Sequence, residues 1–101
     1  MKINIQFINI PKDEAVSGKI RNKLQSLGEK YDWVIRANVF LKDINNDRPS
    51  GKVCEIQLSL PGPRIFATAS EANIETTISK AIGAAEKQLK QRKNELYKKR
   101  N

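Results

Sequence analysis

Apolar and polar residues alternate from the first residues of the chain. Ile3, Ile5 and Phe7 share one phase against Asn4, Gln6 and Ile8, which predicts a strand from Lys2 to about Ile10, ended by Pro11. From Asp13 the period changes. Val16, Ile20, Leu24 and Leu27 follow at intervals of four, four and three residues, the stripe of an amphipathic helix, with Asp13 and Glu14 supplying negative charge at its start. Gly18 lowers the helix propensity within it, and Gly28 is expected to stop it.

Alternation then returns three times. Ile35, Ala37, Val39 and Leu41 share a face in a strand from Val34 to Lys42, with Arg36, Asn38, Phe40 and Lys42 opposite. Residues 45–51 read as a loop by composition. Cys54, Ile56, Leu58 and Leu60 alternate with Val53, Glu55, Gln57 and Ser59 from Lys52 to Leu60. Pro61-Gly62-Pro63 is a turn, and Ile65, Ala67 and Ala69 mark a strand from Arg64 to Ser70. The short connections make these three strands an antiparallel meander. A long helix follows behind Ser70 and Asn73 as candidate caps, its stripe made of Ile74, Ile78, Ala81, Ile82, Ala85, Leu89 and Leu96. If it runs from Asn73 to Lys99 it spans about 40 Å, so the end past about residue 90 is expected to project beyond a small sheet. The predicted fold is α+β in the order β-α-β-β-β-α, a four-stranded sheet with two helices packed on one face.

The chain has 101 residues, which makes one domain spanning 1–101. Hydrophobic residues at 39% with 30% charged describe a soluble globular domain. No apolar run approaches the roughly 18 residues of a membrane span, and the alternating N-terminus lacks the apolar segment of a signal peptide. The single cysteine, Cys54, cannot form an internal disulfide, which fits a reducing, cytoplasmic setting.

Charge sharpens the picture. Lys and Arg number 19 against 11 Asp and Glu, a net charge of +8, with a pI near 9.8. From Glu86 to the end, Lys87, Lys90, Arg92, Lys93, Lys98, Lys99 and Arg100 face only Glu86 and Glu95. Such a segment suits a protein that seeks polyanions, though a solvated helix end with lysines at the favourable pole of its dipole has the same composition. On a helical projection of the first helix, Lys19 and Lys23 fall at about 300° and 340° from Val16, and Lys12 and Lys30 take the same side if the end turns stay helical. On the last helix, Lys80, Lys87 and Lys98 fall at about 220–240° from Ile74 and Lys90 at about 160°. Each helix thus carries a one-sided row of ammonium groups able to follow a phosphate backbone without reading sequence.

Candidate catalytic chemistry is sparse. There is no histidine, hence no common general base or imidazole metal ligand. Cys54 lies in an apolar phase and reads as a buried, inert thiol. The five glycines are isolated, so no phosphate-cradling loop is present, and no cysteine spacing suits a metal. These features point away from an enzyme and imply no cofactor and no small-molecule substrate. Phe40 and Phe66 fall in the polar phase of their strands, where they either stack on bases or pack across strands. Trp33 reads as a boundary-packing residue.

Taken together, Ile3-Asn4-Ile5, Lys23-Leu24 with Leu27, Val39-Phe40-Leu41-Lys42, Ala67-Thr68-Ala69, Ile78 and Lys87-Gln88-Leu89 with Lys93 and Leu96 resemble the ribosome hibernation promoting factor family. The resemblance covers nearly all of residues 2–97. It departs at Asn73-Ile74-Glu75, where relatives open the last helix with an Asp-Met-Tyr-like stretch. It departs also at Ser79 and Gly83, where acidic residues are frequent, and at Ser17 and Ser26, where basic ones are. The family resemblance implies binding in the messenger and transfer RNA channel of the small ribosomal subunit, inhibition of translation in stationary phase, and contacts to ribosomal RNA. The residues expected to make them are Lys19, Lys23, Lys30, Lys80, Lys87, Lys90 and Lys93. It is the short, single-domain form that the chain resembles, which in relatives works beside a separate ribosome-modulating protein. Two other binders remain open on sequence grounds. One is a double-stranded-RNA module, which shares the α-β-β-β-α order but lacks the first strand and carries a Gly/Lys-rich motif not present here. The other is a basic protein–protein adaptor.

Overall fold

The computed structural model describes residues 1–44 and 51–99, with side chains as far as Glu95. Its elements are β1 (Lys2–Ile8), α1 (Glu14–Lys30), β2 (Arg36–Asp43), β3 (Lys52–Ser59), β4 (Ile65–Glu71) and α2 (Ile74–Lys99). The expected α+β order is therefore observed. Residues 45–50, expected as a loop, lie outside the described residues.

The sheet runs β1-β2-β3-β4 in space. β1 pairs parallel to β2, which the α1 crossover permits, and β2, β3 and β4 form the antiparallel meander. Register aligns the apolar phases across all four strands. Ile5 stands opposite Val39, Val39 opposite Ile56, and Ile56 opposite Ala67. This face meets Ile20, Leu24 and Leu27 of α1 and Ile78, Ala81, Ala85 and Leu89 of α2 in one buried cluster. Both helices therefore cover the same face, as the pattern predicts. Each fully buried Leu or Ile contributes about 1.5–3 kcal/mol, and that burial holds the glycine-containing α1 together.

Both helix starts are capped: α1 by Asp13, expected there only as negative charge, and α2 by Asn73 rather than by Ser70, the other candidate. The Asp13 carboxylate accepts from the amides of Ala15 (2.9 Å) and Val16 (3.3 Å), and the Asn73 side-chain oxygen from those of Glu75 (2.8 Å) and Thr76 (3.2 Å). Two expectations are corrected. Gly28 does not end α1, which continues to Lys30 and closes where the Tyr31 amide donates to the Leu27 carbonyl at 2.9 Å. Gly28 instead makes room for the first residue, since a Cβ there would stand 3.1 Å from the Met1 methyl carbon. Ile35 does not share the core face. β2 starts two residues later than expected, at Arg36, Val34 turns into the core, and Ile35 is 62% exposed.

The two edges of the sheet are each tied to a helix. Arg21 of α1 donates to the Ile3 carbonyl (3.2 Å) and Gln88 of α2 to the Phe66 carbonyl (2.7 Å), which occupies backbone acceptors that would otherwise invite another strand. Arg92 donates to the carbonyls of Pro61 and Pro63 and so holds the β3–β4 turn against α2. At 26 residues α2 is about 39 Å long, against about 25 Å for the strands. Its buried residues stop at Leu89 among the described side chains.

Candidate nucleic-acid interface

The lysines of α1 meet α2 in a constant register. Lys19 Nζ lies 2.7 Å from a Glu75 carboxylate oxygen, Lys23 Nζ donates to the Ser79 hydroxyl at 3.2 Å, and Lys30 Nζ lies 3.4 Å from Glu86. In each pair the partners are 56 residues apart. A constant offset requires that α1 and α2 run parallel and side by side. Lys19, Lys23 and Lys30 are spaced four and seven residues apart, a spacing that Glu75, Ser79 and Glu86 repeat. Four and seven residues return to the same face of a helix, so the rows meet along one groove.

The groove has an apolar floor and charged walls. Its upper part, about 350 Å³, is lined by Val16, Ile78, Lys19, Lys23, Glu75 and Ser79. Its lower part, about 240 Å³, is lined by Leu27, Ile82, Lys23, Ser26, Lys30 and Glu86. Lys23 borders both. The end of the groove is closed by Tyr31, whose hydroxyl lies 3.5 Å from Glu86 and whose ring stands edge-on to Trp33 at 5.9 Å. Lys93 of α2 places its ammonium 5.9 Å from the centre of the Tyr31 ring, a cation–π contact that brings it to the same side.

The electrostatics divide the lysines in two. Hydrogen bonding to Glu75 raises the Lys19 pKa, and the same contact lowers that of Glu75. Both side chains are more than half exposed, so the pair is one that water and salt screen and a phosphate can replace. Lys30 pairs with the less exposed Glu86, and Lys80 with the less exposed Glu71 at the end of β4. Lys23, Lys87, Lys90 and Lys93 have no carboxylate partner among the described residues. In the middle of the groove, between two ion pairs, Lys23 meets a neutral hydroxyl and makes no direct ion pair, although its charge also acts on Glu75.

Of the seven lysines singled out in the sequence, the structure brings Lys19, Lys23, Lys30 and Lys93 to the groove, and Lys90 falls beside it on the helical projection. Lys80 and Lys87 do not join them. They project about 100° further round α2, and Lys80 reaches toward β4. Lys12 lies before α1 and pairs with Glu14 at 3.4 Å. Sequence patterning alone does not single out the acidic partners Glu75 and Glu86. Their signal was present in the repeated spacing, but it becomes visible only once the two helices are known to run parallel.

Cys54 is buried on the core face of β3, where burial, with a smaller contribution from Glu55, pushes its thiol up to about 12. It is inert at neutral pH. Among the described residues no three His, Cys, Asp or Glu side chains cluster to hold a metal, and no helix is long and apolar enough to cross a membrane.

A small α+β sheet with its two helices laid parallel on one face, and a groove of exposed cations between them, defines a basic binding domain. Comparison with known families gives that class its place. The chain belongs to the sigma 54 modulation protein / S30EA ribosomal protein family, whose model matches residues 3–97. This agrees with the resemblance in its strands and helices. Among solved structures, a ribosomal subunit interface protein from Coxiella burnetii superposes with a TM-score of 0.82 at 21% identity, over 93% of this chain and 99% of that one. The N-terminal domain of Protein Y from Thermus thermophilus superposes with a TM-score of 0.75 at 25% identity, over 90% of this chain and 98% of that one. No curated protein matches the sequence significantly.

Proposed function

We propose that this chain is a ribosome hibernation factor. In this reading it acts in the cytoplasm, lodges in the messenger and transfer RNA channel of the small ribosomal subunit, and inhibits translation in stationary phase by occupying that channel. Ribosomal RNA phosphates are held by Lys19, Lys23, Lys30 and Lys93 along the groove, by Lys90 beside it, and by Lys80 and Lys87 on the outward side of α2. No bond is made or broken, and no cofactor takes part. A separate ribosome-modulating protein is the expected companion.

The observation that carries this reading is the row of α1 lysines held in register along the groove, with Lys23 at its centre on a neutral hydroxyl rather than in an ion pair. A rigid helix pair presents cations at fixed intervals, and phosphates attract such cations without sequence readout. Membership of a ribosome-associated family supports the partner. So does the name of the Coxiella burnetii neighbour, a ribosomal subunit interface protein.

Sedimentation through a sucrose gradient tests it. The protein is expected to travel with isolated small subunits at moderate salt and to stay at the top with large subunits or free duplex RNA. Travel with duplex RNA as readily as with small subunits would favour a double-stranded-RNA module. No association with either would overturn the proposal.

A further inference from the structure

The face of the sheet opposite the helices is not covered by any described element. Register arranges its side chains in rows across the strands. Lys2 stands opposite Arg36 and Arg36 opposite Ser59, and Arg64, one residue before β4, continues that phase. All three basic residues are exposed, and none has an ion-pair partner among the described residues. The next row is Asn4, Asn38, Gln57 and Phe66. Beyond it come Gln6, Phe40, Glu55 and Thr68.

Three features of these rows point to one class of ligand. Phe66 is 58% exposed, and it walls a shallow recess of about 230 Å³ with Glu55, Gln57 and Thr68. A large aromatic left in water on a polar face is a platform for another flat ring. Its backbone is held in place, because Gln88 of α2 donates to the Phe66 carbonyl at 2.7 Å. The amides beside it, with Asn4 donating to Asn38 at 3.3 Å, keep further donors and acceptors for base edges or ribose hydroxyls. The acid on this face, Glu55, is matched by Lys42 at 3.2 Å, so the basic row stays uncompensated. At about 4.8 Å between strands that row spans about 14 Å, and it lies one pleat away from Phe66.

We propose that this open face binds single-stranded RNA, with a base stacked on Phe66 and the phosphates following Lys2, Arg36 and Arg64. A duplex offers no unstacked base to Phe66, so an unpaired strand is the form that fits. A second copy of this chain fits poorly, since it would bring the same uncompensated row of cations to a face that already carries one. The surface is separate from the helix groove, and it stands or falls independently of the channel-binding function.

Fluorescence anisotropy with a labelled single-stranded oligouridine at about 0.1 M salt tests the proposal. Phe66→Ala changes no charge and removes an exposed side chain, so it leaves the fold and the general attraction for RNA intact. It should weaken binding about 5-fold or more, and Phe66→Tyr should restore it. Arg36→Ala should lower the log–log salt slope by about 0.7. Photocrosslinking of the bound strand should map to the β4 peptide. Equal binding by Phe66→Ala and the wild type, or crosslinks confined to α1 and α2, would overturn the proposal. So would a protein dimer that Phe66→Ala dissolves with no RNA binding to lose.

Discussion

Raising the pH should destabilise the wild-type protein more than a Cys54→Ala variant. Cys54 stands between Leu41 and Ala69 in register on the core face and is 0% exposed. Burial pushes its thiol from an ordinary 9.0 up to about 12. The unfolded thiol therefore loses its proton first. A group whose folded pKa is raised contributes stability that is complete below the unfolded value and disappears as pH climbs toward the folded one. Each pH unit in that window costs about 1.4 kcal/mol, so near pH 10.5 the loss is about 2 kcal/mol, on the order of 10 °C in Tm. Tyr31 is also shifted upward, by burial first and by Glu86 next, but it is present in both proteins and cancels in the comparison. The assay is guanidinium chloride unfolding followed by circular dichroism at about pH 8 and about pH 10.5. Parallel pH dependence in the two proteins would refute the reasoning, as would fast labelling of the folded thiol at neutral pH. At neutral pH, Cys54→Ser should cost about 1–3 kcal/mol by burying a hydroxyl, while small-subunit binding by the folded fraction stays unchanged.

Reversing charge at Lys87 and Lys93 together should weaken small-subunit binding at moderate salt far more than deleting residues 98–101, and equal losses in a sedimentation assay would count against the assignment. Alanine at Lys23 or Lys87, which have no carboxylate partner among the described residues, should lower the log–log salt slope of binding by about one. Lys19 and Lys80, which must first release Glu75 and Glu71, should lower it by less. Asn73→Ala removes the cap of α2 and should cost about 0.5–2 kcal/mol in a chemical melt. Gly62→Ala forces a side chain onto a backbone with φ of 90° in the β3–β4 turn and should cost about 1–2 kcal/mol in a chemical melt, and an unchanged melt would count against a strained turn.

Most of the fold is legible in the periodicities, because each apolar phase faces a single layer. Ile3, Ile5 and Phe7 have one neighbour to pack on, and so do Ile20, Leu24 and Leu27. What the pattern does not carry is direction and contact. Whether β1 pairs parallel with β2 depends on how the crossover returns, which no local residue encodes. Gly28 reads as a stop on its own, yet the helix passes through it, and Met1, 27 positions away, lies beside it. Ile35 reads as core, yet it falls where the strand has not begun. The site is legible to the same degree. Projection finds the lysines of α1 on one side, whereas their partners across the groove and the turning-away of Lys80 and Lys87 follow only from the parallel packing of the helices.

Competition in a cell-free translation system tests the central claim most directly. Added protein is expected to inhibit initiation on small subunits, and excess messenger with initiator transfer RNA is expected to relieve that inhibition, because in the proposed function all three compete for one channel. Relief should come more readily as salt rises, since phosphate contacts weaken with ionic strength. Inhibition that ignores the competitors, persists after the protein is washed away, or leaves cleaved ribosomal RNA would contradict the account.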